Sequence, residues 1–157
     1  MLGIMVYVTF RFRPFDFGLA GVIALVHDVM LAAGMMCLTG RPIDMLGITG
    51  LLTIAGFSIN DTIVIYDRVR ENLRSVRKAD LAQVINLSVN QMLGRTLLTS
   101  LTVIFEVLAL YFFGGEVLRD FSFCLLVGFI SGVYSTVYIA SAFVITWRGW
   151  QSKARTA

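Results

Sequence analysis

The sequence predicts an all-α membrane protein, a polytopic bundle of transmembrane helices, and three observations carry that reading. Of 157 residues, 57% are hydrophobic and 15% charged, with a mean hydropathy of +0.81, whereas a soluble domain carries about 25% charged residues. Four apolar stretches, at about 17–38, 45–66, 96–113 and 121–147, approach or exceed the roughly 20 residues that a spanning helix needs. Lipid offers no partner to unpaired backbone groups, so these stretches are helices. Finally, the basic residues segregate. If Arg11 and Arg13 are inside, the alternation of spans places eleven Lys and Arg residues on the inner side and only Arg41 and Arg119 on the outer side, as the positive-inside rule requires. The net charge of +3 then reflects topology and the anionic inner leaflet, not nucleic-acid binding.

Residues 1–10 are apolar but supply only about half a span, so they are expected to be the inner end of a helix, a partial helix in this chain. They lack the basic start of a signal peptide. An inside turn with Pro14 leads into the span 17–38, which carries His27 and Asp28 halfway along. His27 reads as a packed, hydrogen-bonded residue rather than a ligand. Asp28, a carboxylate at mid-membrane, needs a partner or a proton and is expected to belong to a polar cluster. A short outside turn, 39–44, precedes the span 45–66, whose Gly47, Gly50 and Gly56 permit close helix approach.

That third stretch is the most informative. From Gly56 to Asn72 it reads GFSINDTIVIYDRVREN, so Asp61, flanked by Ser58, Asn60 and Thr62, sits inside the apolar run and not beside it. Asp67 and Arg68 open a charged segment six residues on, which places Asp61 roughly 9 Å inward from the charged boundary. Insertion scales price a central Asp at roughly 2.5 to 3.5 kcal/mol, so such a residue is expected to face a bundle interior and to have a function.

The segment 67–94 reads as a cytoplasmic amphipathic stretch. Val69, Leu73 and Val76 recur at steps of four and three among Arg68, Arg70, Glu71, Arg74 and Arg77, which predicts a helix lying on anionic headgroups. Residues 79–94 either form a second such helix or lead directly into the next span. Arg95 stands at the inner edge of that span, where a snorkelling flanker is ordinary. Glu106, near its middle, is expected to face other helices. Gly114 and Gly115 end it. In the last span Gly128, Gly132, Thr136 and Ala140 repeat every four residues, a small-residue packing stripe, with Ser131 and Ser135 beside it. Trp147 and Trp150 mark the inner boundary.

Several functions are excluded by what the sequence lacks. There is no metal-ligand spacing, no nucleophile paired with a base and no Gly-rich phosphate loop, so no enzyme, metal or cofactor is expected. Cys37 and Cys124 form no CxxC and read as small packing residues.

GFSINDTIVIYDRVREN, the ALVHDV around His27 and Asp28, the GRTLLTS at 94–100 and the YFFGGEVLRDF at 111–121 together resemble the SecF family of bacterial protein-export membrane subunits, over essentially the whole chain. The resemblance implies a bundle like the RND-permease membrane domain in the bacterial inner membrane, with the C-terminus cytoplasmic. It further implies a SecD-like partner and use of the proton-motive force to draw exported preproteins through the SecYEG channel. It assigns proton-relay roles to Asp61, the aspartate of the SIND motif, and to Arg95, the arginine of GRTLLTS, and places Asp28 in the family's HD pair. Ser58, Asn60, Thr62, His27 and Glu106 are then supporting polar groups. The family's first helix and exterior domain are expected to be absent here, and Glu106 stands where the family suggests an apolar residue.

Asp61 and Arg95 lie on successive spans near the inner half of the membrane, and the long arginine stem is expected to let them meet. A carboxylate that alternates between an apolar setting and a guanidinium takes up and releases a proton, and each proton crossing 100 mV supplies about 2.3 kcal/mol. Two other readings remain open at this stage. One is an RND-type small-molecule exporter, which would not assemble with SecD or SecYEG; the other is a passive scaffold whose buried charges merely satisfy one another.

Overall fold

A computed structural model describes residues 15–75 and 81–146, with no side-chain description for a few of them, including Arg74 and Ala140. The partial helix at 1–10, the basic residues Arg77, Lys78, Arg148, Lys153 and Arg155, and Trp147 and Trp150 lie outside the described residues. Four helices follow in order: α1 (Phe15–Leu38), α2 (Met45–Ser75), α3 (Leu81–Phe113) and α4 (Gly115–Tyr134). α4 continues through a π-helical turn, Ser135–Ala140, to Thr146, and each of the four is long and apolar enough to cross a membrane. No strand occurs among the described residues, as the all-α expectation requires.

The helices outrun the apolar stretches that predict them. α2 continues through the charged segment to Ser75, and α3 begins at Leu81, so Leu81–Gly94 is continuous with the span after it. At 1.5 Å per residue these helices are about 46 and 50 Å long, well beyond the roughly 30 Å of hydrocarbon. The described part of the amphipathic stripe, Val69 and Leu73, therefore meets a neighbouring helix. Val69 and Leu73 of α2 pack in one cluster with Ile85 and Val89 of α3. Asn72 Nδ2 donates to Ser88 Oγ at 2.8 Å and to Gln91 Oε1 at 3.0 Å, and Arg68 Nε donates to Gln91 Oε1 at 2.8 Å.

α4 also starts earlier than the apolar stretch at 121–147. The Gly114 N–H closes on the Leu110 carbonyl at 2.8 Å, and Gly115, at φ +76°, takes the left-handed backbone that lets α4 reverse at once. On the same side of the bundle Arg41, in the α1–α2 turn, forms an ion pair with Asp120 of α4 and lies 4.4 Å over the Phe123 ring.

α4 packs against all three other helices, while α2 also contacts α1 and α3. Its small residues make this possible. A Cβ at Gly128 would overlap the side chain of Ile54, so the α2 and α4 backbones meet there as closely as glycine allows. The core falls into two apolar clusters. One joins Ala32, Met36, Ile54, Val107, Cys124 and Phe129; the other joins Ala20, Ala24, Ile65, Val69, Ile85 and Val144. On every helix the residues between those two clusters include buried polar ones.

Candidate functional site: a buried polar layer

The layer between the clusters contains Asp28 from α1, Ser58, Asp61 and Thr62 from α2, Thr96 and Ser100 from α3, and Ser131, Ser135 and Thr136 from the α4 rod, all buried. Each helix delivers its share by simple spacing. On α1 the inward face runs Ala24, Asp28, Ala32 and Met36 in steps of four, so a carboxylate replaces one rung of an apolar ladder.

Asp28 is wholly buried and is held by three hydroxyls. Ser58 Oγ donates to Oδ2 at 2.7 Å, Ser135 Oγ to Oδ2 at 2.6 Å and Ser131 Oγ to Oδ1 at 2.8 Å. His27 Nδ1 lies 3.2 Å from Oδ1. A carboxylate is an acceptor only, and three hydroxyl donors from two other helices match that demand. Gly132 lines the same space: a Cβ there would stand 3.7 Å from Asp28 Oδ2 and 3.8 Å from Ser58 Cβ, ordinary contact distances.

The next polar step along the bundle is Thr62. Its Oγ1 donates to the Ser58 carbonyl at 2.9 Å and lies 3.4 Å from Thr136 Oγ1. Here the π-helical turn matters. Thr136 and Ser141 are both buried, a step of five that matches the residue a π turn adds to the repeat. Of the small-residue stripe, Gly128, Gly132 and Thr136 face the interior.

Asp61 contrasts with Asp28. It is 6% exposed, and its Oδ2 is buried without a hydrogen-bond partner among the described residues. Ser100 Oγ and Ser141 Oγ share that condition. Arg95 exerts a Coulombic pull on Asp61, but Arg95 is exposed and no ion pair joins the two among the described residues. The expected meeting is thus absent in this conformation. Asn60 and Glu106 are exposed among the described residues, so Glu106 faces none of the other described helices: it lies off the arc of α3 that holds Thr96, Ser100 and Val107.

Ser131 and Ser135, which stand beside the packing stripe in the sequence, are hydrogen-bond donors to Asp28 in the fold. Their spacing of four on a small-residue helix was the available signal. Thr96 and Ser100, at the same spacing on α3, were not singled out. No group of three or more His, Cys, Asp or Glu residues capable of holding a metal occurs among the described residues.

Residues 1–150 match the family described as protein export membrane protein SecD/SecF, C-terminal. The chain is 47% identical over 154 residues to the protein translocase subunit SecDF of Thermus thermophilus, covering 98% of this chain and 21% of that protein. It is 49% identical over 140 residues to the protein translocase subunit SecF of Rickettsia akari, covering 89% of this chain and 45% of the relative. The crystal structure of SecDF in its super-membrane-facing form superposes with a TM-score of 0.90 at 45% identity, over 98% of this chain and 21% of that one. The chain thus spans half or less of the length of these relatives. A sequence that matches the family model through residue 150, and shares its membrane fold with a solved member over nearly its whole length, belongs to the SecD/SecF family of protein export membrane proteins.

Proposed function

We propose that this chain is the membrane domain of a SecF-type subunit that couples the proton-motive force to protein export across the bacterial inner membrane. In this reading it works with a SecD-like subunit beside the SecYEG channel, acts on exported preproteins and keeps its C-terminus in the cytoplasm. The names of its relatives, translocase subunits, support the export role, and the eleven-to-two distribution of basic residues supports the orientation.

The observation that carries the coupling is Asp61 Oδ2, a buried carboxylate oxygen with no donor among the described residues. Buried polar atoms are seldom left so, and an exception at an ionisable group is a place to look for function. That oxygen is the atom that takes the proton. Arg95 supplies the counter-charge when α2 and α3 shift to bring it into contact, and separation of the pair accompanies proton uptake. Asp28, with its hydroxyl partners already in place, has a positioning role: it ties α1, α2 and α4 together while α3 carries the moving charge.

The test is export of a preprotein in membranes holding the full-length subunit, measured with and without a proton gradient. Asp61→Asn keeps the shape but cannot titrate, so gradient-dependent stimulation should vanish while membrane abundance and recovery of the SecD-like subunit stay near normal. Arg95→Ala should lose the stimulation too. Normal gradient-dependent export by Asp61→Asn would replace the relay with the scaffold reading.

A further inference from the structure

Where α2 and α3 outrun their apolar stretches, one unbroken chain of hydrogen bonds joins them. Arg68 Nε donates to Gln91 Oε1 at 2.8 Å. Asn72 Nδ2 donates to the same oxygen at 3.0 Å and to Ser88 Oγ at 2.8 Å, and Ser88 Oγ passes its own proton to the Val84 carbonyl at 2.7 Å. Arg68 Nη1 also donates to Glu71 Oε2 at 2.6 Å. The chain has one direction. A guanidinium only donates, so it turns the amide oxygen of Gln91 toward itself; the second lone pair of that oxygen takes one amide proton of Asn72, and the other proton goes to Ser88. Asn72 and Ser88 are buried, where an unmet polar group is costly, and here each donor meets an acceptor.

This clasp sets the register of two antiparallel helices. Asn72 with Ser88 and Arg68 with Gln91 are successive rungs, one turn apart. Four residues further along each helix, the same register brings Arg95 level with Val64, and Asp61 stands three residues beyond, about 4.5 Å along the axis. An extended arginine side chain spans that gap. Both charged groups lie on the arcs that the clasp fixes: at 100° per residue Asp61 is within about 20° of Arg68 and Asn72 on α2, and Arg95 within about 20° of Ser88 on α3. Side chains lean toward the N-terminus of their own helix, so Arg95 leans toward the clasp and away from Asp61. That accounts for the lack of an ion pair between the two among the described residues.

We infer that Asn72, Ser88 and Gln91 are positioning residues for the Asp61–Arg95 pair: they hold α3 at the register that places Arg95 less than one turn from Asp61. The inference rests on the proton relay proposed above and adds the device that sets the distance between its two charges. The clasp also separates two arginines. Arg68 shares the arc of Asp61 on α2 but is held by Gln91 and Glu71, which leaves Arg95 as the guanidinium that moves.

The experiment uses the full-length subunit with its SecD-like partner in native membranes. Gln91 is exposed, so its replacement leaves the core untouched: Gln91→Glu keeps an acceptor toward Arg68 and Asn72, and Gln91→Met keeps the size without the acceptor. Gradient-dependent export of a preprotein should stay near native with Gln91→Glu and fall about tenfold or more with Gln91→Met, the scale of one hydrogen bond to a charged group. Gradient-independent export, membrane abundance and partner recovery should hold in both. Register is read separately, by oxidation of cysteine pairs in a chain freed of Cys37 and Cys124. Val64→Cys should join Arg95→Cys at least about fivefold faster than Thr99→Cys, which is one turn away and beyond disulfide reach, and Gln91→Met should erase that preference. Native gradient-dependent export with Gln91→Met, an equal fall with Gln91→Glu, a parallel fall in gradient-independent export, or equal joining of Val64→Cys to both positions would each overturn the inference and leave the relay standing. Normal gradient-dependent export by Asp61→Asn would instead overturn the relay, and with it the role of the clasp, whatever the cysteine pairs show.

Discussion

Two aspartates in the polar layer have opposite local chemistry, which sets opposite expectations for their removal. Asp28→Ala strips the acceptor from three serine hydroxyls, so thermal unfolding in detergent should show a loss of about 2 to 3 kcal/mol, with Ser131→Ala and Ser135→Ala each costing about 1 kcal/mol. Asp61→Ala removes an oxygen that has no hydrogen-bond partner among the described residues, so it should change stability by under about 1 kcal/mol. Equal losses at the two positions would end the division of roles. The sequence revealed both carboxylates, because an ionisable residue inside an apolar run is conspicuous. It concealed which one is satisfied. The hydroxyls that satisfy Asp28 stand up to 107 positions away, and only the packing of α4 against α1 brings them together. Arg95 was legible as a charge at a helix foot, while its distance from Asp61 depends on how two helices are tilted, which no local pattern encodes.

At the scale of the helix, α4 is governed by what its glycines touch. A methyl at Gly128 would overlap Ile54, whereas one at Gly132 would meet Asp28 and Ser58 at ordinary contact distance. Gly128→Ala should therefore cost about 1 to 3 kcal/mol as overpacking, and Gly132→Ala should cost under about 1 kcal/mol. Adding Ile54→Ala to Gly128→Ala should recover part of the loss, a coupling that a double-mutant cycle on thermal stability reads directly. A similar cost for both glycines would show that the close approach lies elsewhere. The spacing of four through Gly128, Gly132 and Thr136 was visible in the residues. The π-helical turn at Ser135–Ala140 was not, because a π turn is set by a hydrogen-bond shift that leaves no mark on side-chain type. The length of α2 escaped for another reason: the charges after Tyr66 signal the edge of the membrane, not the end of the helix, and no proline or glycine follows until well past Ser75.

For the molecule as a whole, the four long apolar helices of the described residues were legible from hydropathy, and the proposed orientation rests on the distribution of basic residues. In a chain freed of Cys37 and Cys124, a membrane-impermeant thiol reagent should label Glu116→Cys only from outside and Gln83→Cys only after the inner face is opened. Labelling of Gln83→Cys in sealed cells would invert the topology. Neither the joined extension of α2 and α3 nor the three-tiered core was legible, since both arise from contacts between helices. The unbroken α2 has a mechanical consequence. With no glycine or proline between Ser58 and Ser75 there is no hinge, so Asp61 and the tip of the helix move as one lever. Pivoting at Met45, a tilt of roughly 10° would carry Asp61 about 4 Å but Ser75 about 8 Å, from the rise per residue alone. Because Arg68 and Asn72 grip Gln91 and Ser88, the neighbouring end of α3 would be drawn along, and a small displacement at the carboxylate would emerge at the tip of α2 as a stroke of twice the length.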